Sequence, residues 1–379
     1  MPLVLNEEQE MLRDSAAGFL AEKASLAELR QLRDAGEPQA YDPAVWRDVI
    51  DMGWASIAIP ESYGGLGYGY TGLGVVLEQV GRNLSATPLE ASVLVGATAL
   101  LNLGTDEQKA AWLPELASGA KQVTLALQDS SSFDPLGTSM SAASEGEGFR
   151  LSGEKRMVLD ALTADAFVVV ARTAESAGET AGLSAFLVDA KAAGVSVSRC
   201  EMVDSRQCGA VSFDSVMLEG SALMGPLGGA WPGLEKTLDI AAIGLSAELL
   251  GLSLEAFERT VEYIKERKQF GRVIGSFQGL QHRAAALFAE LELAKSIVLK
   301  ALQAIDAEDE NLSVLASAAK AKLSEVARTA SNEGVQMHGG IGMTDEYDIG
   351  FFLKRARVLQ HLYGDHYYHL DRFARLGGY

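Results

Sequence analysis

The chain has 379 residues, 48% of them apolar, enough to bury large cores in more than one domain. A formal net charge of −19 argues against a nucleic-acid or anionic-membrane surface, so an anionic ligand needs a local basic pocket. With no apolar run of membrane-spanning length, acids in the N-terminal MPLVLNEEQE, and only Cys200 and Cys208 as thiols, the expectation is a cytoplasmic protein with reduced cysteines and no metal.

Residues 6–120 read as helices. Asn6 can cap a segment in which Met11, Leu12, Ala16 and Leu20 recur at helical spacing, and Tyr70–Gly81, Glu90–Asn102 and Asp106–Ser118 follow. The turn PESYGGLGYG, at 60–69, punctuates them. Between Lys121 and Gly225 the period changes to short β-branched runs: QVTLALQD, FRLSGEKRMVL, DAFVVVART, LSAFLVD, VSVSRC and AVSFDSVML. A glycine-rich joint, GPLGGAWPG at 225–233, then leads to Ala/Leu-rich segments at about 234–268, 277–306, 311–338 and 346–375. Four such helices predict an antiparallel bundle.

The predicted fold is therefore mainly α with a central β domain: residues 1–120 helical, 121–226 β, and 227–379 a helical bundle. Strands and helices are segregated along the chain, which excludes a doubly wound α/β sheet.

Three segments carry chemistry. ERKQFGRVIGSFQGLQH at 266–282 puts Arg267 at the end of a long helix just before Gly271, where a fixed guanidinium can grip a phosphate bidentately. Gln278 begins the next helix and offers amide hydrogen bonds. In QMHGGIGMTDEYDIGFFLKRAR, at 336–357, Gly339, Gly340 and Gly342 let backbone approach a dinucleotide without Cβ clashes. Each has a plainer reading, since Arg267 could pair with Glu262 or Glu266 on a solvated helix face, and GG is commonly a turn.

Together with PESYGGLG at 60–67, and in this order and spacing, these segments make the chain resemble the acyl-CoA dehydrogenase family over essentially its whole length. The resemblance implies an N-terminal helical domain, a middle β barrel or sandwich and a C-terminal four-helix bundle. It also implies FAD as cofactor, an acyl-CoA substrate, a homo- or heterotetramer, and electron-transfer flavoprotein as electron acceptor. By the same resemblance Arg267, Gln278, Gln336, Gly339 and Gly340, with Phe270 beside them, clamp the ADP half of FAD, the arginine serving a neighbouring subunit.

The flavin-ring half departs from the family pattern. Family members cradle the ring with a Thr-Glu-Pro segment and a Trp-Ile-Thr segment. Aligned on the shared Gly153-Glu154-Lys155 turn, this chain places Gln128 at the first threonine, Met157 at the tryptophan and Leu159 at the second threonine. Each change removes a hydroxyl or an aromatic face, although a methionine can pack on a flavin and Gln128 can hydrogen-bond.

The family reaction takes the α proton of an acyl thioester with a carboxylate base while the β hydrogen leaves as hydride. The family glutamate falls 24 residues after the first glycine of the GG pair, and counting from Gly339 lands on Tyr363. A phenol titrating near 10 is a poor base at neutral pH. A second family location maps to Ala241, with Ala242 where a neighbouring arginine stands. The nearest acid is Asp365, read either as a displaced base or as the N-cap of the last helix. His361, Asp365 and His369 at i, i+4, i+8 would share a face of a continuous helix, but Gly364 interrupts it and no metal is expected.

Three functions follow. One is FAD-dependent α,β-dehydrogenation of an acyl-CoA in a homotetramer, with Asp365 or another, unassigned residue as base. Another is a subunit that lends its FAD clamp to a catalytic partner in an α2β2 complex, as in the steroid or bulky-acyl type. The third is flavin oxidase or monooxygenase chemistry on the same architecture. The losses at Tyr363 and Ala241 predict little turnover by this chain alone. Small or apolar residues at the expected acyl pocket, Val93, Val95, Ile240, Ala241 and Ala242, make a bulky acyl group conceivable.

Overall fold

The computed structural model describes residues 3–36, 41–174 and 178–379. Its first helices are α1 (Glu7–Lys23), α2 (Leu26–Ala35), α3 (Pro43–Asp51) and α4 (Tyr70–Asn83). A nine-residue π-helix, Leu89–Ala97, runs into α5 (Thr98–Leu103), and α6 spans Asp106–Ala117. Asn6 caps α1 as predicted, in a reciprocal box with Gln9. The sequence reading missed α2 and α3, and took the π-helix for an ordinary one.

The strands are β1 (Val123–Ala126), β2 (Ser141–Glu145), β3 (Gly148–Leu159), β4 (Ala166–Arg172), β5 (Leu183–Asp189), β6 (Val195–Glu201), β7 (Gln207–Leu218) and β8 (Leu223–Met224). They form one sheet in the order β6-β7-β3-β2-β4-β5-β8, with β1 parallel to β4. Every residue of β4 is buried, as expected of a continuous apolar run. Its Phe167 and the Phe213 ring of β7 meet edge to face at 6.5 Å, and Phe149 meets Phe186 at 5.0 Å. β2 escaped prediction because Ser141–Glu145 has only one buried residue, Ala142.

The remaining elements are α7 (Trp231–Glu266), the two-strand hairpin β9 (Lys268–Gln269) and β10 (Arg272–Val273), α8 (Gln278–Asp306), α9 (Leu312–His338), α10 (Ile349–His361) and α11 (His366–Leu376). α7 is long and apolar enough to cross a membrane, but 89% of that apolar window is buried inside the molecule, so it is a core helix. The fourth predicted bundle helix is two helices, α10 and α11. Tyr363 and Gly364 both take left-handed backbone, φ 52° and 100°, which ends one helix and turns the chain into the next.

The chain resolves into two compact units. One comprises residues 1–31, 70–86 and 242–379 and is helical. Within it, Arg355 of α10 donates from Nε and Nη2 to Glu248 Oε1 of α7, at 3.0 and 2.7 Å, in a buried pair. The close packing of α4 on α7 depends on glycine, because a Cβ at Gly81 would lie 2.0 Å from Glu248 O. The other unit, residues 32–69 and 87–241, holds the sheet with its flanking helices.

Candidate active site

Three places bear on the chemistry, and each lies within one compact unit. The first is a groove of about 800 Å³ in the helical unit, whose wall includes Arg267, Phe270, Gly339 and Gly340. α7 ends at Glu266, and the β9–β10 hairpin turns through Phe270 and Gly271, both left-handed at φ 56° and 79°. That turn leaves the Phe270 side chain 87% exposed, against Phe277 at 6.2 Å. Arg267 is exposed and makes no ion pair among the described residues, while Glu262 pairs with Lys265. The plainer reading of Arg267 as a surface ion-pair partner is therefore not what the geometry shows.

The glycines face open space. A Cβ built on Gly339 or Gly340 meets no heavy atom within 4 Å. Gly339 needs glycine for its φ of 67°, but nothing inside the chain requires it at Gly340, so the space belongs to something outside the chain's own packing. Gln278 and Gln336 are exposed and stand off the groove wall, Gln278 between Phe277 and Gly279 that line it, Gln336 one residue before Met337 that does.

Sequence reasoning missed the groove's inner wall. His338 stacks on Tyr263 at 4.3 Å between centroids and tilts against Tyr347 at 4.8 Å. Its Nδ1 lies 2.6 Å from Gly334 O and donates there, which leaves the buried Nε2 as an acceptor with no protein partner. Burial holds this imidazole below its ordinary value, so it is neutral at pH 7. An unpaired guanidinium, two open glycines and an unfilled acceptor suit the phosphates and polar edges of a dinucleotide.

The second place lies on the sheet. Arg156 N donates to Gln128 O at 2.7 Å, so the end of β1 is stitched to β3 beside Met157. β3 shifts register between Lys155 and Val158, and in that bulge Met157 has φ 55°, rare for a residue with a side chain. Gln128 Nε2 donates to Ser130 O at 3.3 Å, and Leu159 is buried opposite Cys208. Beneath them Lys155 is fully buried and donates to Leu127 O at 2.8 Å and Asp129 Oδ1 at 2.5 Å. Asp129 Oδ2 in turn accepts from Ser139 N and Met140 N. Burial draws Lys155 down to about 8 against the pull of Asp129. The Gly-Glu-Lys segment read as a turn lies within β3, paired with β7, and nothing in the sequence said that its lysine braces the strand.

The third place is the break between α10 and α11. Tyr363 is buried, and its backbone carbonyl accepts from His369 Nε2 at 2.9 Å. Lys320 of α9, fully buried, donates to Gln360 O at 3.1 Å and Gly364 O at 2.8 Å. Burial, helped by Lys320, takes His369 down to about 3, so it stays neutral and donates through Nε2 alone. Asp365 Oδ1 accepts from Tyr368 N at 2.9 Å and caps α11. Asp365 and His369 are thus engaged at a helix break, His361 is exposed at the end of α10, and no group of metal-binding side chains occurs among the described residues.

A helical–β–helical chain with a cation-tipped, glycine-lined groove suits a protein that binds a dinucleotide such as a flavin cofactor. Sequence models for the N-terminal, middle and C-terminal domains of acyl-CoA dehydrogenase match residues 6–120, 128–216 and 230–376. The chain is 30% identical to the probable acyl-CoA dehydrogenase YngJ of Bacillus subtilis, over 95% of both chains. Among solved structures, a variant of the Tcur3481-Tcur3483 steroid ACAD is 31% identical with TM-score 0.87, covering 98% of each chain. The ChsE4-ChsE5 complex of Mycobacterium tuberculosis contains a chain 26% identical with TM-score 0.89, covering 100% of this chain and 99% of that one. The chain belongs to the acyl-CoA dehydrogenase family, FAD-dependent oxidoreductases of acyl-CoA thioesters.

Proposed function

We propose that the chain works in α,β-dehydrogenation of an acyl-CoA as one subunit of a tetramer, and that by itself it turns over slowly. The observation carrying this reading is Tyr363: the chain is fixed there by His369 and Lys320, and the side chain is a phenol. In this reading the Arg267 groove, with Phe270, Gln278, Gln336, Gly339 and Gly340, holds the ADP half of a neighbouring subunit's FAD. Gln128, Met157 and Leu159 line the ring of the chain's own FAD. FAD held by these residues would supply a hydride acceptor for the β hydrogen of the substrate, and electron-transfer flavoprotein would be the onward electron acceptor.

The α proton must reach a base as the carbon–carbon double bond forms. Asp365 is the nearest acid to the expected place, and we assign it the residual proton abstraction. Its engagement as a helix cap favours a second reading, in which a partner chain carries the efficient base and this chain contributes chiefly the FAD clamp. The family likeness to a two-protein complex and to a steroid-named enzyme supports a heterotetramer and a bulky acyl group. Two free cysteines suit a cytoplasmic location.

The test is an acceptor-dye assay over short, long and ring-bearing acyl-CoAs on the wild type and Asp365→Asn, with flavin content matched. Slow turnover lowered a further 10²-fold or so by Asp365→Asn makes Asp365 the base. Slow turnover indifferent to the substitution, rising when a second chain is added, makes the partner the source of the base.

A further inference from the structure

A second cavity in the helical unit, about 1030 Å³, is lined by parts of α1, α4, α7 and α8. It shares no lining residue with the Arg267 groove. Its apolar lining includes Val75 of α4, Leu250 and Leu254 of α7, and Leu299 and Leu302 of α8. The volume is that of a small-molecule site, at the upper end of about 300–1,000 Å³.

One polar group on that wall is unspent. Glu78 of α4 makes no ion pair among the described residues, and its hydrogen bond from Gln79 Nε2 is long at 3.5 Å. The cations around it are already engaged. Arg82 lies 2.9 Å from Glu258 and 3.3 Å from Glu255; Arg259 lies 2.8 Å from Glu255 and 3.0 Å from Asp348. Lys295 is 2.6 Å from Glu292, and Arg13 is 3.0 Å from Asp14. Burial raises the Glu78 carboxyl above its ordinary value, outweighing the opposing pull of Arg82, Lys295 and Arg13. Glu78 is half-buried, and a carboxylate without an ion-pair partner keeps capacity for a ligand cation.

We infer that this cavity is a binding site for an amphipathic amine, its ammonium on Glu78 and its hydrocarbon body against Val75, Leu250, Leu254, Leu299 and Leu302. An anionic amphiphile has no free cation to meet there, since the lining arginines and lysine are paired. The site is independent of the FAD groove and of the acyl-CoA reaction.

The experiment is isothermal titration of the full chain with dodecylamine below its micellar concentration, with dodecanoate as the anionic control, repeated on Glu78→Gln and Ala17→Phe. Glu78→Gln is nearly isosteric and removes the charge, while Ala17→Phe narrows the cavity from α1; thermal melts establish that both are folded. The expected result is saturable binding at one site per chain, weakened about 10-fold or more by Glu78→Gln, weakened by Ala17→Phe, and unaffected by bound acyl-CoA. No saturable binding, binding indifferent to Glu78→Gln, equal binding of dodecanoate, or displacement by acyl-CoA would each overturn the inference.

Discussion

Arg267 shows how a single side chain gains meaning from what it does not touch. It stands exposed at the end of a 36-residue helix without an ion-pair partner, above two glycines that open onto space. A charge-assisted phosphate contact is worth about 1.5–3 kcal/mol, so Arg267→Ala should lower FAD retention about 10- to 100-fold. Flavin content after gel filtration measures this, and unchanged content would remove Arg267 from the clamp. Lys155 and Asp129 are the opposite case, a pair fully engaged beside the bulge of β3. Asp129→Asn leaves a buried ammonium without its counter-charge and should cost about 3–5 kcal/mol at pH 7. The paired Lys155 is already drawn from 10.5 to about 8, so its burial penalty is full below pH 8 and relieved as pH rises towards 10.5. The loss in Asp129→Asn should therefore shrink between pH 7 and pH 9 in urea melts. Asp129 itself has a depressed carboxyl, so in the wild type its contribution is present above 3.8 and lost as pH falls through the lower folded value. A loss that stayed constant with pH would contradict the brace.

Among the elements, α8 carries the assembly argument. It leaves Phe288 53% and Leu293 59% exposed in a helix that otherwise buries Leu287, Leu291, Ala294 and Val298. Apolar side chains left in water on a long helix suit a second copy of the chain. The double substitution Phe288→Glu and Leu293→Glu should convert a tetramer to smaller species by light scattering, while a monomeric wild type at micromolar concentration would remove the basis for sharing FAD. Element types were largely legible because periodicity is a local property: α7, α8, α9, β4, β5 and β7 follow from apolar spacing alone. β2 was not, since a strand with one buried residue carries no apolar pattern. The break after α10 was signalled by Gly364, but not its brace from Lys320, 40 residues upstream of Gln360. The π-helix at Leu89–Ala97 is likewise invisible, because an apolar run has the same composition whichever carbonyl each amide reaches.

Over the whole molecule, the order helix, sheet, helix and the three motif segments were readable in the sequence. The groove's glycines and arginine were readable too, since their chemistry belongs to residue type. The Tyr263–His338 wall and the Lys155 brace were not, because each depends on residues brought together by the fold from distant positions. The proposed function turns on Tyr363, whose backbone carbonyl accepts from a neutral His369, next to Gly364, whose carbonyl accepts from the buried Lys320. Losing a positioned base costs about 10²- to 10⁴-fold, so from a median turnover near 10 s⁻¹ the chain alone should fall to about 0.1 s⁻¹ or less. The most direct measurement is acceptor-dye turnover of flavin-matched wild type and Tyr363→Glu with an acyl-CoA that both bind. The account predicts slow wild-type turnover and a gain of about 10²-fold or more in Tyr363→Glu; fast wild-type turnover, or no gain from the glutamate, would contradict it.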